Sequence, residues 1–190
     1  MTTGFGPVLV ALLVAHSSAA WDHPDPAPWW PLQVGQTAPG FRLEDTSLHP
    51  WSLAPGHAVW ISFGASWCPW CERQERLMVK TARRYSDLTV VEVDEERHIS
   101  KAERWQEGLG ANLPLSFHML LDPNFKVARR YRVQAYPTSF FIGPSGRIRA
   151  VYLGALTTRR ALLSCLKPLM GVPPMHASKE EIITKVGHHR

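Results

Sequence analysis

The chain has 190 residues, of which 45% are hydrophobic and 19% are charged. This composition predicts one globular domain with tails and excludes a chain that is disordered throughout. The formal net charge is +5, but lysine and arginine are scattered without a basic block, so we do not expect nucleic-acid binding.

The first 20 residues have the pattern of an export signal. Residues 7–15 form an apolar stretch, and residues 18–20 are small, as a cleavage site requires. The start of the chain lacks the lysine or arginine that such signals usually carry. The apolar stretch is too short for a comfortable membrane span, although an uncleaved anchor is the alternative. We therefore expect an exported, soluble protein in the periplasm or another extracytoplasmic compartment.

The rest of the chain alternates between strand and helix patterns. Residues 21–32 predict an extended spacer rich in proline and tryptophan, and residues 34–53 predict a short hairpin. Strands are predicted at 58–64, 88–94, 117–121, 139–142 and 148–152, and helices at 70–85, 99–107, 123–131 and 158–170, with Thr157 capping the last helix. This order predicts a mixed α/β sheet covered on both faces, within a domain at 33–171 that precedes a flexible tail at 172–190.

A pair of cysteines lies where the first central strand meets its helix, because residues 67–71 read Trp-Cys-Pro-Trp-Cys. Pro69 suits the first turn of a helix, where a missing N–H has no cost. The free N–H groups and the positive dipole end of that helix favour a thiolate at Cys68. Cys71 lies one turn further and can close a disulfide. The spacing therefore indicates that Cys68 attacks a substrate disulfide and that Cys71 resolves the mixed disulfide.

The third cysteine, Cys165, lies in an apolar helical pattern and is predicted to be a buried small hydrophobic residue. An odd number of cysteines in an exported protein leaves an intermolecular bond or a spare thiol as alternatives.

Four segments of the chain resemble the thioredoxin superfamily and, within it, the exported TlpA/ResA-like thiol-disulfide oxidoreductases. The segments are residues 34–41, 63–71, 133–140 and 143–148, and the match extends over roughly residues 33–170. The resemblance implies a thioredoxin-like mixed β-sheet flanked by helices on both faces. It also implies that Cys68 is the attacking cysteine, Cys71 the resolving one and Pro137 a cis-proline that faces them. The Tyr-Pro step at residues 136–137 can itself hold a cis bond.

The same resemblance suggests how substrates and partners are engaged. Trp67, Pro69, Trp70 and Tyr136 are predicted to contact the substrate, with the Tyr136 backbone pairing with an extended chain. No cofactor and no metal are implied beyond the redox-active disulfide Cys68–Cys71. The expected partners are protein thiols and disulfides, and a membrane thiol reductase or oxidase that recharges a monomeric protein. Membership of this family favours a reductant, for example one that keeps haem-site or copper-site cysteines reduced.

One position departs from the thioredoxin pattern. Thioredoxin has a buried acid six residues before the first cysteine, where this chain has Ser62. A hydroxyl is a poor proton acceptor, so deprotonation of Cys71 needs water or another group. Glu92 and Asp94 are candidates by strand position, but the pattern favours a surface or strand-end location for each.

Other functions that use cysteines fit the sequence less well. A copper-binding or copper-delivery module, using the two thiolates and a histidine such as His118, is the main alternative. A peroxidase of the peroxiredoxin type needs Pro and Thr or Ser where this chain has Ile61 and Ala65. Haem attachment needs histidine at the position of Glu72, and a structural zinc site needs four ligands. A purely structural disulfide closing so short a loop would add little stability.

Overall fold

The computed structural model describes residues 30–96, 99–109 and 112–170, which form one mixed sheet with flanking helices. The strands are β1 (Arg42–Asp45), β2 (Pro50–Ser52), β3 (Ala58–Gly64), β4 (Leu88–Asp94), β5 (Phe117–Leu121), β6 (Thr138–Ile142) and β7 (Ile148–Leu153). The helices are α1 (Pro69–Arg84), α2 (Ile99–Gly108), α3 (Lys126–Arg130) and α4 (Arg159–Leu166), and a 3₁₀ turn at Lys167–Met170 follows α4. The predicted signal, most of the predicted spacer and the predicted tail lie outside the described residues.

The seven strands follow the order β2-β1-β5-β4-β3-β6-β7. Strands β3, β4 and β5 run parallel at the centre of the sheet, and β1, β6 and β7 join by antiparallel pairing. Because both faces of the central strands are covered, β3 and β4 are buried along nearly their whole length. This arrangement confirms the predicted mixed sheet with helices on both faces.

Two apolar clusters pack against the two faces of the sheet. The cluster on one face includes Trp60, Met78, Phe141 and Leu162, which join the sheet to α1 and α4. The cluster on the other face joins the sheet to α3 and includes the fully buried Tyr131. Cys165 is buried in the first cluster as a free cysteine, which confirms its predicted location in the core.

Several predicted boundaries need correction. The third helix was expected from residue 123, but α3 begins at Lys126, because the Asp122 carboxylate accepts hydrogen bonds from the N–H groups at the start of the helix. The last helix is capped by Thr158, whose hydroxyl accepts from Ala161 N–H, and not by Thr157. That helix changes to a 3₁₀ turn at Lys167, before the proline at position 168.

The start of the described chain packs onto the domain. Leu32, which the sequence assigns to the spacer, is buried, and its N–H donates to the Tyr131 carbonyl at 3.3 Å. The hairpin predicted for residues 34–53 is present as the antiparallel pair of β1 and β2. Among the described residues, none of the helices has the length and apolar character needed to cross a membrane.

Candidate active site

The two motif cysteines lie at the start of α1 and form a disulfide. Strand β3 ends at Gly64, and a short turn brings Cys68 to the N-cap of the helix, with Pro69 as its first residue. Cys68 Sγ accepts a hydrogen bond from the Cys71 N–H at 3.2 Å, so it faces the positive end of the helix dipole. Cys68 is 7% exposed and Cys71 only 1%, so Cys68 is the sulfur nearer to solvent.

Exposed aromatic side chains surround the disulfide. Trp67 is 68% exposed and Trp70 is 50% exposed, although both are large apolar groups. Trp67 donates its indole N–H to Glu95 Oε1 at 2.9 Å, and its ring meets the ring of Tyr136 edge-on at 6.2 Å. The Arg73 guanidinium lies over the Trp70 ring, 4.7 Å from its centre. Two exposed tryptophans, one on each side of Cys68 and Pro69 in the chain, therefore form an aromatic rim beside the cysteines.

The peptide bond between Tyr136 and Pro137 is cis, as predicted. Tyr136 packs against Ala65 and both cysteines. The loop therefore holds Tyr136 beside the disulfide, immediately before β6 pairs with β3. Trp67 and Tyr136 thus meet beside the disulfide, Pro69 and Trp70 lie between the two cysteines in the chain, and Pro137 follows Tyr136 directly.

Three carboxyl side chains lie buried in the part of the molecule that holds the disulfide. Glu75 is 0% exposed, Glu92 1% and Asp94 0%. The expected surface location is therefore wrong for both Glu92 and Asp94, although Asp94 does lie at the end of β4, as the strand-end alternative has it. The reason is that β4 lies at the centre of the sheet, where a polar side chain has no route to solvent. The apolar run at residues 88–93 predicts a buried strand, but it does not show that this strand lies at the centre of the sheet.

The burial of these acids makes their charged forms unfavourable. Burial, followed by repulsion from Glu92 and Asp94, raises the pKa of Glu75 to about 11. Burial raises the pKa of Glu92 well above its usual range, against a smaller opposing effect from the Ser62 hydroxyl. Burial raises the pKa of Asp94 to about 7, although its Oδ1 accepts from the Glu96 N–H at 3.0 Å.

Five of the six oxygens of these carboxyl groups also lack a hydrogen-bond partner among the described residues. Within the described part of the chain, both oxygens of Glu75, both oxygens of Glu92 and Oδ2 of Asp94 make no hydrogen bond of normal geometry. Ser62 lies beside Glu92 in the β3–β4 register and affects its pKa, yet no hydrogen bond of standard length and angle joins them. A buried carboxylate without partners is costly, so this cluster favours protonated acids.

Gly64 brings one of these acids close to the resolving cysteine. A side-chain carbon on Gly64 would overlap Oε1 of Glu92 and would lie 3.3 Å from both Cβ and Sγ of Cys71. The carboxyl group of Glu92 and the Cys71 sulfur therefore border the same small space. The absence of a side chain at position 64 keeps that space open.

Gln74 fixes the helix to the sheet beneath the site. Its Nε2 donates to the Ser62 hydroxyl at 2.8 Å and to the Ser139 hydroxyl at 3.3 Å, and its Oε1 accepts from the Leu156 N–H at 2.7 Å. One side chain thus connects α1 with β3, β6 and the segment after β7. The sequence alone does not point to Gln74, since a lone glutamine on a helix belongs to no motif.

The histidine considered for a copper site lies elsewhere. His118 is paired with Val91 across β5 and β4, and its ring packs at 5.7 Å from Trp51 of the hairpin. Burial lowers the pKa of His118. Within residues 30–96, 99–109 and 112–170, no group of three or more His, Cys, Asp or Glu side chains is arranged to hold a metal ion.

The chain is similar to known proteins over the part that contains this site. A model of the AhpC/TSA family matches residues 34–151. The thioredoxin-like protein YneN of Bacillus subtilis is 29% identical over 130 residues, which cover 67% of this chain and 76% of that protein. The thiol-disulfide oxidoreductase ResA of Geobacillus kaustophilus is 30% identical over 132 residues, which cover 66% of this chain and 72% of that protein. The thiol:disulfide interchange protein DsbE of Vibrio cholerae is 28% identical over 139 residues, which cover 71% of this chain and 73% of that protein.

Solved structures share the fold. A DsbE-like protein of Chlorobium tepidum superposes with a TM-score of 0.64 at 24% identity, covering 74% of this chain and 98% of that chain. The exposed lipoprotein thioredoxin of Streptococcus pneumoniae has a TM-score of 0.56 at 26% identity, and the match covers 68% of this chain and 98% of that chain. The redox-active group of such proteins is the cysteine pair itself, so the reaction uses no cofactor. The chain therefore belongs to the thioredoxin-like AhpC/TSA family and is a thiol-disulfide oxidoreductase.

Proposed function

We propose that the protein is an exported reductant of protein disulfides that works through its Cys-Pro-Trp-Cys site. Cys68 attacks one sulfur of a substrate disulfide and forms a mixed disulfide, while the other substrate sulfur leaves as a thiolate. Cys71 then attacks Cys68, which closes the Cys68–Cys71 disulfide and releases the second substrate sulfur. The substrate gains two electrons and the cysteine pair loses two.

The observation that carries this proposal is the unequal environment of the two sulfurs. Cys68 is the more exposed sulfur and caps α1, where N–H groups stabilise a thiolate. Cys71 is only 1% exposed, so a substrate sulfur has less access to it than to Cys68. These positions support Cys68 as the attacking group and Cys71 as the resolving group.

The aromatic rim and the cis-proline loop support a protein substrate. Trp67 and Trp70 offer apolar surface to an unfolded or extended chain, and Tyr136 lies next to both cysteines. The Tyr136 backbone is proposed to pair with the substrate, and Pro137 is proposed to keep that backbone in position.

The direction of electron flow is inferred from the buried acids. A disulfide is a strong oxidant when its reduced form is stabilised, as happens when a site favours the thiolate. The helix start favours a thiolate at Cys68, whereas the carboxyl group of Glu92 borders the Cys71 sulfur. As a carboxylate in the dithiol form, Glu92 would disfavour a second negative charge at Cys71. This environment supports a low reduction potential and hence a reductant.

The export pattern of residues 1–20 supports an extracytoplasmic location, where oxidised protein thiols arise. Such a reductant must itself be reduced after each cycle. We therefore propose a membrane thiol reductase as its electron donor, with oxidised proteins as its substrates.

Trapping experiments test these roles. Incubated with insulin as the disulfide substrate, Cys71→Ser is expected to accumulate a mixed disulfide that is visible on a non-reducing gel. Cys68→Ser is expected to form no adduct and to lose insulin reduction. Cys165→Ser is the matched control, because its thiol is buried away from the disulfide, and it should turn over like the wild type. Full turnover by Cys68→Ser would refute the mechanism.

A further inference from the structure

The exchange reaction requires proton transfer at a buried atom. Before Cys71 can attack, its thiol must lose a proton, and when the disulfide is later reduced, the same sulfur must gain one. Cys71 is 1% exposed, so water has little access to it. Ser62 occupies the position of the acid in thioredoxin, and its oxygen already accepts a hydrogen bond from Gln74. The proton therefore needs another acceptor.

An acid on the neighbouring strand is in a position to accept the proton of Cys71. Glu92 is paired with Ser62 in the β3–β4 register, one strand away from the position at which thioredoxin has its acid. Its Oε1 reaches over Gly64 and borders the same space as the Cys71 sulfur. Neither of its oxygens is occupied by a hydrogen bond of normal geometry among the described residues. The carboxyl group is therefore free to bind the proton.

We propose that Glu92 exchanges a proton with the Cys71 sulfur in every redox cycle. This inference rests on the proposed roles of Cys68 and Cys71. In the mixed disulfide, the Cys71 thiol gives its proton to the Glu92 carboxylate, and the resulting thiolate attacks Cys68 Sγ. The bond between Cys68 and the substrate sulfur breaks, and that sulfur leaves with the electron pair and takes a proton from water.

The return step uses the same proton. When a reducing partner attacks Cys68, the Cys68–Cys71 bond breaks and Cys71 leaves with the electron pair. Cys71 then takes the proton from Glu92, which becomes a carboxylate. Glu92 is thus an acid in the disulfide form and a base in the dithiol form, and no proton has to cross the buried site from solvent.

The surroundings of Glu92 fit this exchange. The titratable groups that face it are Glu75 from α1 and Asp94 from its own strand, and neither is a cation. The strands on its two sides contribute Ser62 and Met119, neither of which carries a charge. Arg76 acts on Glu75 from the exposed side of α1 and is paired with Glu72.

The disulfide form of the structure is consistent with a protonated Glu92. Burial and the nearby Asp94 hold the pKa of Glu92 well above its usual range in this form. A new thiolate at Cys71 beside that acid is a ready acceptor for its proton. The raised affinity for protons is what a group needs to take one from a thiol near neutral pH.

The test separates the two chemical steps with Ellman's reagent. The reduced protein releases one equivalent of thionitrobenzoate when Cys68 attacks, and a second when Cys71 resolves the mixed disulfide. Stopped-flow traces are recorded from pH 6 to 8 for the wild type, Glu92→Gln and Glu92→Asp. Glu72→Gln is the matched control, because it removes an exposed carboxylate next to Cys71 in sequence. Circular dichroism establishes that each variant is folded.

In Glu92→Gln, we expect the first release to be unchanged and the second to slow by about 100-fold at pH 7, the usual size of a general-base effect. The slowed step should accelerate about tenfold per pH unit, because solvent base replaces the carboxylate, whereas the wild type shows a flatter profile. Glu92→Asp should restore part of the rate and of the flat profile. A purely structural role for Glu92 would not steepen the pH dependence.

Two results would overturn different claims. The proton exchange would be refuted if folded Glu92→Gln showed the wild-type rate and pH profile for the second release. That result would leave the proposed roles of the two cysteines intact. Release of two equivalents by Cys71→Ser at the wild-type rate would instead refute the proposed function on which the exchange rests.

Discussion

At Gly64 the chain lacks a side chain, and Glu92 of the adjacent strand reaches into that space toward Cys71. In the part of the chain that the structure describes, the carboxyl of Glu92 has no hydrogen bond of normal geometry. In the proposed proton exchange, the chemistry of the Cys71 sulfur thus depends on two residues outside the cysteine motif.

Trp70 offers a test of substrate binding at the level of one side chain. Trp70→Ala should lower the rate of insulin reduction about tenfold and leave the reaction with Ellman's reagent unchanged, because only a protein needs the exposed ring. The two rates are compared for purified variants under the same conditions.

The control for this variant is Leu115→Ala, which removes an apolar side chain that is 97% exposed. Leu115 precedes β5, at the opposite end of the parallel strands from the cysteines. An equal loss of insulin reduction in both variants would contradict a specific role for Trp70.

Individual residues differ in how far the sequence alone predicts their positions in the structure. Cys68, Cys71 and Pro137 are predictable because their signals are local, either a spacing at a helix start or a Tyr-Pro step. Glu92 is not predictable in this way, since its location depends on which strand occupies the centre of the sheet. The closeness of Glu92 to Cys71 further depends on the register between β3 and β4.

Among the secondary-structure elements, α1 has the largest share in positioning the site. It carries both cysteines at its start and Gln74 one turn further, and Gln74 joins three other parts of the fold. The strands and most helices were predictable from their apolar patterns. The first residues of α3 and α4 could not be predicted in this way. Asp122 and Thr158 accept hydrogen bonds from N–H groups at the starts of these helices, and the apolar periodicity does not reveal such bonds.

Gln74→Ala should therefore destabilise the protein by about 2–4 kcal/mol. The variant leaves the buried Leu156 N–H without its acceptor and opens a cavity between α1 and the sheet. Unfolding by urea, followed by circular dichroism, measures the loss. Lys80→Ala on the exposed side of α1 is the control and should change the free energy of unfolding by less than about 0.5 kcal/mol. Equal stability of the two variants would exclude this role for Gln74.

For the whole molecule, the buried acids link stability to pH. Burial raises the pKa of Asp94 from an ordinary 3.8 to about 7 and the pKa of Glu75 from 4.5 to about 11. A carboxyl group whose pKa is higher in the folded state binds its proton more tightly there. Its contribution to stability is complete below the unfolded pKa and is lost as the pH rises toward the folded pKa. The free energy of unfolding should therefore decrease from about pH 5 upward.

Glu92→Gln should weaken this dependence, since a neutral amide replaces a buried acid. We expect the variant to match the wild type at pH 4 and to exceed its stability by more than about 1 kcal/mol at pH 8, because one pKa unit corresponds to about 1.4 kcal/mol. Urea unfolding at pH 4, 6 and 8 measures the difference, and Glu72→Gln should show no comparable gain. A wild type with constant stability from pH 5 to 8 would contradict the buried-acid account.

The proposed reductant role depends on the buried acids beside the cysteine pair. The most direct measurement is the reduction potential of the Cys68–Cys71 pair, obtained by equilibration with glutathione and then with stronger dithiols. A reductant of this kind should have a reduction potential near that of thioredoxin, about −270 mV. A value near about −120 mV, which is typical of a strong oxidant, would mean that the site stabilises its reduced form and would contradict the claim.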